Sequence, residues 1–118
     1  MNSFELLGRI NWIDFKITDS GTCFTKILLA KKKPKSEEYE SFPIVFFNTK
    51  NDNTAERLAD NHKVGDYIRI KGQLGISKYA PKNADKIQDK IVLTGWSFVP
   101  VVWDAEQNKY VDVLTDAA

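Results

Sequence analysis

Apolar and polar residues alternate through residues 67–74, and this pattern predicts a strand with two unlike faces. Ile68, Ile70 and Leu74 share one face, whereas the opposite face carries Tyr67, Arg69, Lys71 and Gln73. Side chains along a strand point alternately to its two sides. We therefore expect the apolar set to line a core, while the polar set, with one aromatic ring and two cations, faces outward.

A long first strand is predicted over residues 4–18, and its apolar face changes side partway. Leu6, Ile10 and Trp12 share one parity, and Ile13, Phe15 and Ile17 share the other. Such a switch requires an inserted residue or a sharp bend, and Gly8 is a nearby position where the backbone can kink. Turn-forming residues at 19–22 then lead to a second strand over 23–32, whose inward face the pattern leaves open.

The next segment combines a strand with a helix. Residues 42–48 are almost all apolar, which is typical of a strand in a sheet that is covered on both sides. Asn53 and Glu56 have the spacing of a capping box, which predicts a helix over residues 54–63. His62 falls at the end of that helix, where we expect it to cap the helix or to contact solvent.

The element order predicts the fold class. The central strand continues to Tyr79, a second basic loop spans residues 80–86, and residues 87–96 form the next strand, followed by short strands at 98–103 and 109–114. This order predicts an all-β fold: a five-stranded barrel with one short helix between strands 3 and 4, plus a C-terminal β extension. We expect residues 1–96 to form the barrel domain and residues 97–118 to pack on the barrel or at a subunit interface.

Positive charge is concentrated in the middle of the chain. The 118 residues suit one domain and carry a formal net charge of +1. Residues 26–90 hold 14 Lys or Arg against 9 acids, whereas residues 96–118 hold 1 Lys against 4 acids. A local basic field attracts phosphates over a Debye length of about 8–10 Å, so the near-neutral total is compatible with nucleic-acid binding. The near-neutral net charge argues against a protein that coats duplex DNA by charge alone.

The inventory of reactive residues argues against an enzyme. One histidine and one cysteine, Cys23, do not supply a nucleophile with its base, and neither a glycine-rich phosphate loop nor metal-ligand spacing occurs. We expect no catalytic residue, no cofactor and no metal. A lone cysteine forms no internal disulfide, and the sequence has neither a signal-peptide pattern nor a membrane span, so we expect a cytoplasmic protein.

Aromatic rings beside cations are the candidate binding chemistry. In sites for single-stranded nucleic acid, a base stacks on a ring while phosphates meet Arg or Lys. Tyr67 with Arg69 and Lys71 has this pattern, although an ordinary solvated strand face has it too. The charged segment that begins with Lys31, Lys32 and Lys33 is either a solvated loop tip or a phosphate contact.

Several segments, taken in order, carry a family resemblance. Residues 65–74, GDYIRIKGQL, followed by Tyr79, are similar to the pattern G-x-x-φ-x-φ-x-G-x-L of one family; weaker similarities lie at Asn2 with residues 6–10, and at 25–30, 42–47 and 55–59. Over residues 2–95 the chain resembles the bacterial and phage single-stranded DNA-binding (SSB) proteins. The resemblance implies an OB-fold barrel that coats single-stranded DNA without catalysis and assembles as a dimer or tetramer.

The resemblance also implies site residues. Phe42 and Tyr79 stand where family members have tryptophans that stack on bases, although core or loop packing is the alternative for both. Trp12, Lys26, Arg69 and Lys71 are added from their predicted outward faces, and burial is the alternative for Trp12 and Trp96. The predicted DNA-binding set is Trp12, Lys26, Lys31, Lys32, Lys33, Phe42, Tyr67, Arg69, Lys71, Lys78, Tyr79 and Lys82.

The C-terminal part departs from the family pattern. Bacterial members usually continue through a Gly/Pro/Gln-rich linker to an acidic tail that recruits replication and repair proteins, whereas this sequence shows neither, and residues 96–114 have no counterpart. We therefore expect a phage-type protein of replication or recombination in the host cytoplasm, with phage or host proteins as further candidate partners. Two other functions stay open, an OB-type protein-interaction module and an RNA-binding OB domain.

Overall fold

A computed structural model describes residues 2–79 and 88–113 of the chain, and it shows a closed β-barrel. The elements are β1 (Ser3–Ile17), β2 (Cys23–Lys32), β3 (Tyr39–Phe47), α1 (Thr54–Asn61), β4 (Tyr67–Tyr79), β5 (Gln88–Asp104) and β6 (Lys109–Asp112). The strand order is β3-β2-β1-β4-β5-β6, and a parallel pairing of β3 with β5 closes the first five strands into a ring. β6 is bonded outside that ring. The predicted fold class is therefore confirmed.

The barrel core follows the period-two pattern of the strands. Ile68 and Ile70 of β4 are fully buried, as predicted, but Leu74 is 40% exposed. β1 pairs with β4 only as far as Gln73, so Leu74 lies in a hairpin of β4 and β5 that runs beyond the β1–β4 ladder. The prediction for Leu74 is wrong for that reason. The buried cluster consists of Ile10, Ile27, Leu29, Ile44, Phe46, Ala55, Leu58, Ile68 and Ile70.

A β-bulge in β1 produces the predicted face switch. The register with β2 shifts between Ile10 and Trp12, so Asn11 is the extra residue. Ile10 is buried before the bulge, and Ile13 packs on the core after it. Gly8 is not the kink: it lies where β1 passes close to β2, and a Cβ there would be 2.5 Å from the Ala30 carbonyl oxygen.

β3 is buried on one side, not on both as its apolar run predicts. Ile44 and Phe46 are buried, whereas Pro43 is exposed and Phe47 is 41% exposed. A barrel strand has one face toward the interior, and the outer face of β3 is open to solvent. Phe42 belongs to the inner side, because it pairs with the buried Leu29 and packs against the core.

Helix α1 lies between β3 and β4 as predicted, but its N-terminus is capped differently. The side chain of Asn53 makes no capping hydrogen bond. Instead, Asn48 Oδ1 accepts hydrogen bonds from the backbone N–H of Ala55 (2.9 Å) and Glu56 (3.2 Å), and Asn48 Nδ2 donates to Glu56 Oε1 (3.0 Å). The residue after β3 thus fixes the helix start. The buried Thr25 hydroxyl ties the helix to β2 by donating to the Ala55 carbonyl (2.6 Å).

His62 is the C-cap residue of α1, as predicted, but its side chain does not contact solvent broadly. The ring is 8% exposed, its Nδ1 lies 3.0 Å from Asp66 Oδ2, and its edge packs on the Phe98 ring. Within residues 2–79 and 88–113, no three His, Cys, Asp or Glu side chains group closely enough to hold a metal ion. The described residues also include no helix that is long and apolar enough to cross a membrane.

The two strands predicted at 87–96 and 98–103 are one strand, β5. A bulge at Trp96 keeps it paired with β4, because Lys71 lies opposite Ser97 and Gly72 opposite Gly95. Phe98 packs on the core against the Phe46 ring, with ring centroids 5.8 Å apart. The end of β5 then pairs with β6. The first residues of the predicted C-terminal extension therefore pair with the barrel strand β4.

Candidate nucleic-acid interface

The outer sides of β1, β2 and β3 form one continuous surface, which we call the strand face. Cross-strand pairing arranges it in three rows. The rows are Trp12–Leu28–Pro43, Asp14–Lys26–Val45 and Lys16–Phe24–Phe47. Trp12 reaches this side because the bulge at Asn11 turns it away from the core. The strand face thus combines apolar and aromatic groups with two lysines.

Among the described residues, three aromatic side chains are exposed on or beside the strand face. Trp12 is 42% exposed, so the alternative of burial does not hold for it. Phe47 contacts Phe24 in a tilted pair with ring centroids 6.1 Å apart. Trp96, at the β5 bulge, is 50% exposed and lines a shallow groove together with Phe47. These rings offer flat apolar surfaces of the kind on which bases stack.

The charges on the strand face are mixed. Lys26 and Lys16 are exposed, and Asp14 lies between them. Lys16 Nζ is 3.4 Å from Asp14 Oδ2, an exposed pair whose contribution to stability is small. Because such a pair opens at little cost, Lys16 is available to a phosphate as well as to Asp14.

The predicted site residues do not all share this surface. Trp12 and Lys26 lie together on the strand face, whereas Phe42 is half-buried on the core side. Lys78 is exposed on the β4–β5 hairpin, where its backbone lies opposite Asp89. The side chain of Tyr79 and all of Lys82 lie outside the described residues, so their roles stay predictions.

The outer side of β4 carries an ion-pair network. Arg69 Nε donates to Asp112 Oδ1 of β6 (2.9 Å), and Arg69 Nη1 donates to Glu5 Oε1 of β1 (3.3 Å). The hydrogen bond to Asp112 is the main cause that raises the pKa of Arg69. Arg69 therefore already has two carboxylate partners, which compete with any phosphate. Lys71 is exposed and faces Glu5 across the β1–β4 ladder.

Tyr67 is stacked against a residue that the sequence did not single out. Its ring lies nearly parallel to that of Tyr110 on β6, with centroids 5.2 Å apart and an interplanar angle of 18°. Trp103 of β5 meets Tyr110 edge to face at 5.1 Å. Burial, followed by the proximity of Tyr67, raises the pKa of Tyr110 above the ordinary tyrosine value. Tyr67 and Tyr110 thus form a stacked aromatic pair beside Arg69.

The lysines at the end of β2 differ in their partners. Lys32 Nζ lies 3.9 Å from Glu37 Oε1, and Lys33 Nζ lies 3.4 Å from Glu38 Oε2. Lys31 is exposed, and it lines a groove with Lys32 and Tyr67. Of the predicted lysines in this segment, the structure brings Lys31 and Lys32 to Tyr67.

Sequence reasoning missed several aromatic residues that the fold places on the strand face or beside Tyr67. The signal for Phe24 was present, because it shares its strand parity with the exposed Lys26. Phe47 lies in a run of apolar residues, so the sequence pattern does not separate the two faces of this strand. Only the closed barrel shows which of these residues point inward. The position of Tyr110 beside Tyr67 has no local signal, because 43 residues separate the two in sequence.

Comparison with known proteins finds a likeness in structure. No family model matches the chain, and no curated protein matches it in sequence. The structure of a Plasmodium falciparum SSB complex with ssDNA is similar with a TM-score of 0.65 and 18% identity, covering 85% of this chain and 94% of that chain. The SSB domain of a Synechococcus sp. protein is similar with a TM-score of 0.58 and 16% identity, covering 83% and 93%. This chain therefore has the fold found in SSB domains.

Proposed function

We propose that this protein binds single-stranded DNA across the strand face, without strong preference for sequence and without catalysis. The observation that carries the proposal is the exposure of Trp12 and Phe47 beside Lys26 on one continuous barrel surface. The shared fold supports it, since one similar structure is that of an SSB complex with ssDNA. In the described residues the strand face offers rings and cations, which are the two groups that such binding requires.

Stacking explains how the binding would tolerate any sequence. Every base has a flat aromatic face, and each base stacked on a protein ring contributes about 1–3 kcal/mol. Trp12 and Phe47 are already exposed, so binding requires no opening of the core. Lys26 and Lys16 would meet the phosphates, and the affinity would fall as salt concentration rises.

The wider role belongs to the same proposal. The protein would protect single strands during phage replication or recombination in the host cytoplasm, acting as a dimer or tetramer. The resemblance to the SSB family over residues 2–95 supports assembly as a dimer or tetramer and a role in replication or recombination. Phage or host replication and recombination proteins would be its further partners.

A protein-interaction module is the second candidate, and one surface favours it. Leu74, Ile76 and Ile91 are exposed on the β4–β5 hairpin, where Ile76 pairs with Ile91. Exposed apolar side chains grouped in this way are typical of contact surfaces for other proteins. In a module of this kind, Trp12 and Phe47 would not bind nucleic acid.

The test is a titration of intrinsic tryptophan fluorescence with oligo(dT), oligo(U) and duplex DNA at low and high salt. We expect strong quenching by oligo(dT), a weak response to duplex DNA and an affinity for oligo(dT) that falls steeply with salt. The Trp12→Ala variant should bind oligo(dT) about fivefold or more weakly, and Trp12→Phe should retain most of the affinity because it keeps a ring.

Each alternative has its own outcome. Tighter binding of oligo(U) than of oligo(dT) would favour an RNA-binding domain. Absence of binding to all three nucleic acids, in a protein whose circular dichroism shows that it is folded, would refute the proposal and favour the protein-interaction module. Equal affinity of folded Trp12→Ala and the unsubstituted protein would refute the role of the strand face.

A further inference from the structure

A cationic groove continues the strand face toward the C-terminal strand. It has a volume of about 360 Å³, within the usual range of ligand sites, and it lies where β1, β2 and β4 meet. Gly8 and Ala30, both buried, lie along it. Its other lining residues include Arg9, Lys31, Lys32, Tyr39, Tyr67 and Tyr110, and none of its described lining residues is acidic.

The cations of this groove have few acidic partners that would compete with a ligand. Arg9 is exposed, and its Nε donates to Asn11 Oδ1 (3.0 Å), a neutral partner that positions the guanidinium without neutralising it. Lys31 is exposed as well, and the contact of Lys32 with Glu37 is long, at 3.9 Å, with the Glu37 side chain fully exposed. An anionic ligand therefore meets three positive groups at the cost of one weak surface ion pair.

The C-terminal strand supplies one wall of the groove and holds it in place. β6 pairs with the end of β5, and Asp112 anchors it to Arg69 of β4. Tyr110 is fixed between Tyr67 and Trp103. On the opposite side, Tyr39 at the start of β3 is 62% exposed. Rings are thus positioned on both sides of the cations before any ligand binds.

We propose that this groove is a second nucleotide-binding site, in which a base stacks on the face of Tyr67 that points away from Tyr110, while its phosphate meets Arg9, Lys31 and Lys32. The inference rests on the proposed function and extends it, because the groove would take a further part of the same single strand. It also assigns a role to β6, whose position outside the barrel ring the SSB resemblance does not explain. Arg69 serves this site as a positioning residue through Asp112.

One strand can pass from the strand face into the groove. Trp12 lies opposite Leu28, and Arg9 lies opposite Ala30, two residues farther along β2. Tyr67 lies opposite Arg9 on the next strand. The path thus crosses adjacent strands of one surface, and a strand long enough to cover the strand face reaches the groove without crossing the core.

The test compares Tyr110→Ala with Tyr110→Phe on a ladder of oligo(dT) lengths. We expect the shortest oligonucleotides that bind to lose little affinity in Tyr110→Ala, whereas longer ones lose about fivefold or more, because only they reach the groove. Tyr110→Phe keeps the ring and should bind all lengths as the unsubstituted protein does. In the unsubstituted protein, oligo(dT) carrying 5-iodouracil should photo-crosslink to Tyr67 or Tyr110, as located by mass spectrometry.

A charge variant tests the groove without disturbing β6. Combined Lys31→Gln and Lys32→Gln should make the dependence of log affinity on log salt shallower by about 0.7 for each phosphate that is no longer neutralised. Lys63→Gln, which removes one exposed charge outside the groove, is the control, with an unchanged slope expected.

The outcomes separate this inference from the proposed function. If Trp12→Ala weakens binding while folded Tyr110→Ala binds every length unchanged and crosslinks avoid Tyr67 and Tyr110, the groove is refuted and the strand face stands. Tighter binding by Tyr110→Ala would refute it too, and would mean that β6 shields Tyr67. If the unsubstituted protein binds no oligo(dT), both proposals fail together.

Discussion

At the scale of single residues, Gly95 shows how closely the elements of this barrel pack. It lies in β5 directly against the buried ring of Phe46, and a Cβ at this position would lie 2.3 Å from the ring. Phe46 is fully buried and also meets Phe98, so its ring cannot move aside without disturbing the core. Gly95 is therefore required by packing.

Gly95→Ala should destabilise the protein by about 1–3 kcal/mol or more, because a methyl group overfills a packed core. The free energy of unfolding in urea measures this effect. Gly75→Ala, also in the β4–β5 ladder, is the control: its new methyl group would find its nearest neighbour at 4.0 Å, so we expect a change within about 0.5 kcal/mol. Equal stabilities of the two variants would contradict the packing argument.

At the scale of the elements, helix α1 owes its start to a residue of the preceding loop. Asn48 accepts from two N–H groups of the first helical turn and donates to Glu56, whereas Asn53 contributes no side-chain bond. The capping-box spacing predicted the right helix for the wrong reason. Local spacing identifies residues that are able to cap, but the path of the chain after β3 decides which one reaches the helix.

Asn48→Ala should lower the free energy of unfolding by about 0.5–2 kcal/mol, as expected for loss of a helix cap. Asn53→Ala, the matched control, should change it by less than about 0.5 kcal/mol. Urea denaturation followed by circular dichroism measures both variants. A larger loss of stability in Asn53→Ala than in Asn48→Ala would contradict this assignment and favour the predicted capping box.

At the scale of the whole molecule, β5 joins the barrel to the segment that we predicted as a C-terminal extension. Beyond Trp96, β5 still pairs with β4, with Phe98 opposite Ile70 and Pro100 opposite Ile68. Ile68 and Ile70 are fully buried, so this part of β5 covers core residues. By contrast, β6 adds to the outside of the ring, where it pairs with the end of β5 and contacts β4 through Tyr110 and Asp112.

Two shortened chains test the predicted boundary at residue 96. A chain ending at residue 104 keeps the β4–β5 ladder and should unfold cooperatively. A chain ending at residue 96 loses Phe98 from the core and should show no cooperative thermal transition by circular dichroism. If the shorter chain unfolds cooperatively, residues 1–96 are a domain of their own, as the sequence predicts.

The sequence by itself determined the order of the elements as far as the start of β5, the helix between the third and fourth strands and the buried side of β4 at Ile68 and Ile70. These features follow from local periodicity and turn chemistry, which act over a few residues. Tertiary structure decided the rest: Phe42 faces the core, Arg69 binds Asp112, and Tyr67 stacks on Tyr110. The alternation of side chains along a strand separates its two faces. It does not specify which other elements of the fold pack against each face. Closure of the barrel and docking of β6 bring together residues far apart in sequence, and those contacts decide which rings and cations remain open to a ligand.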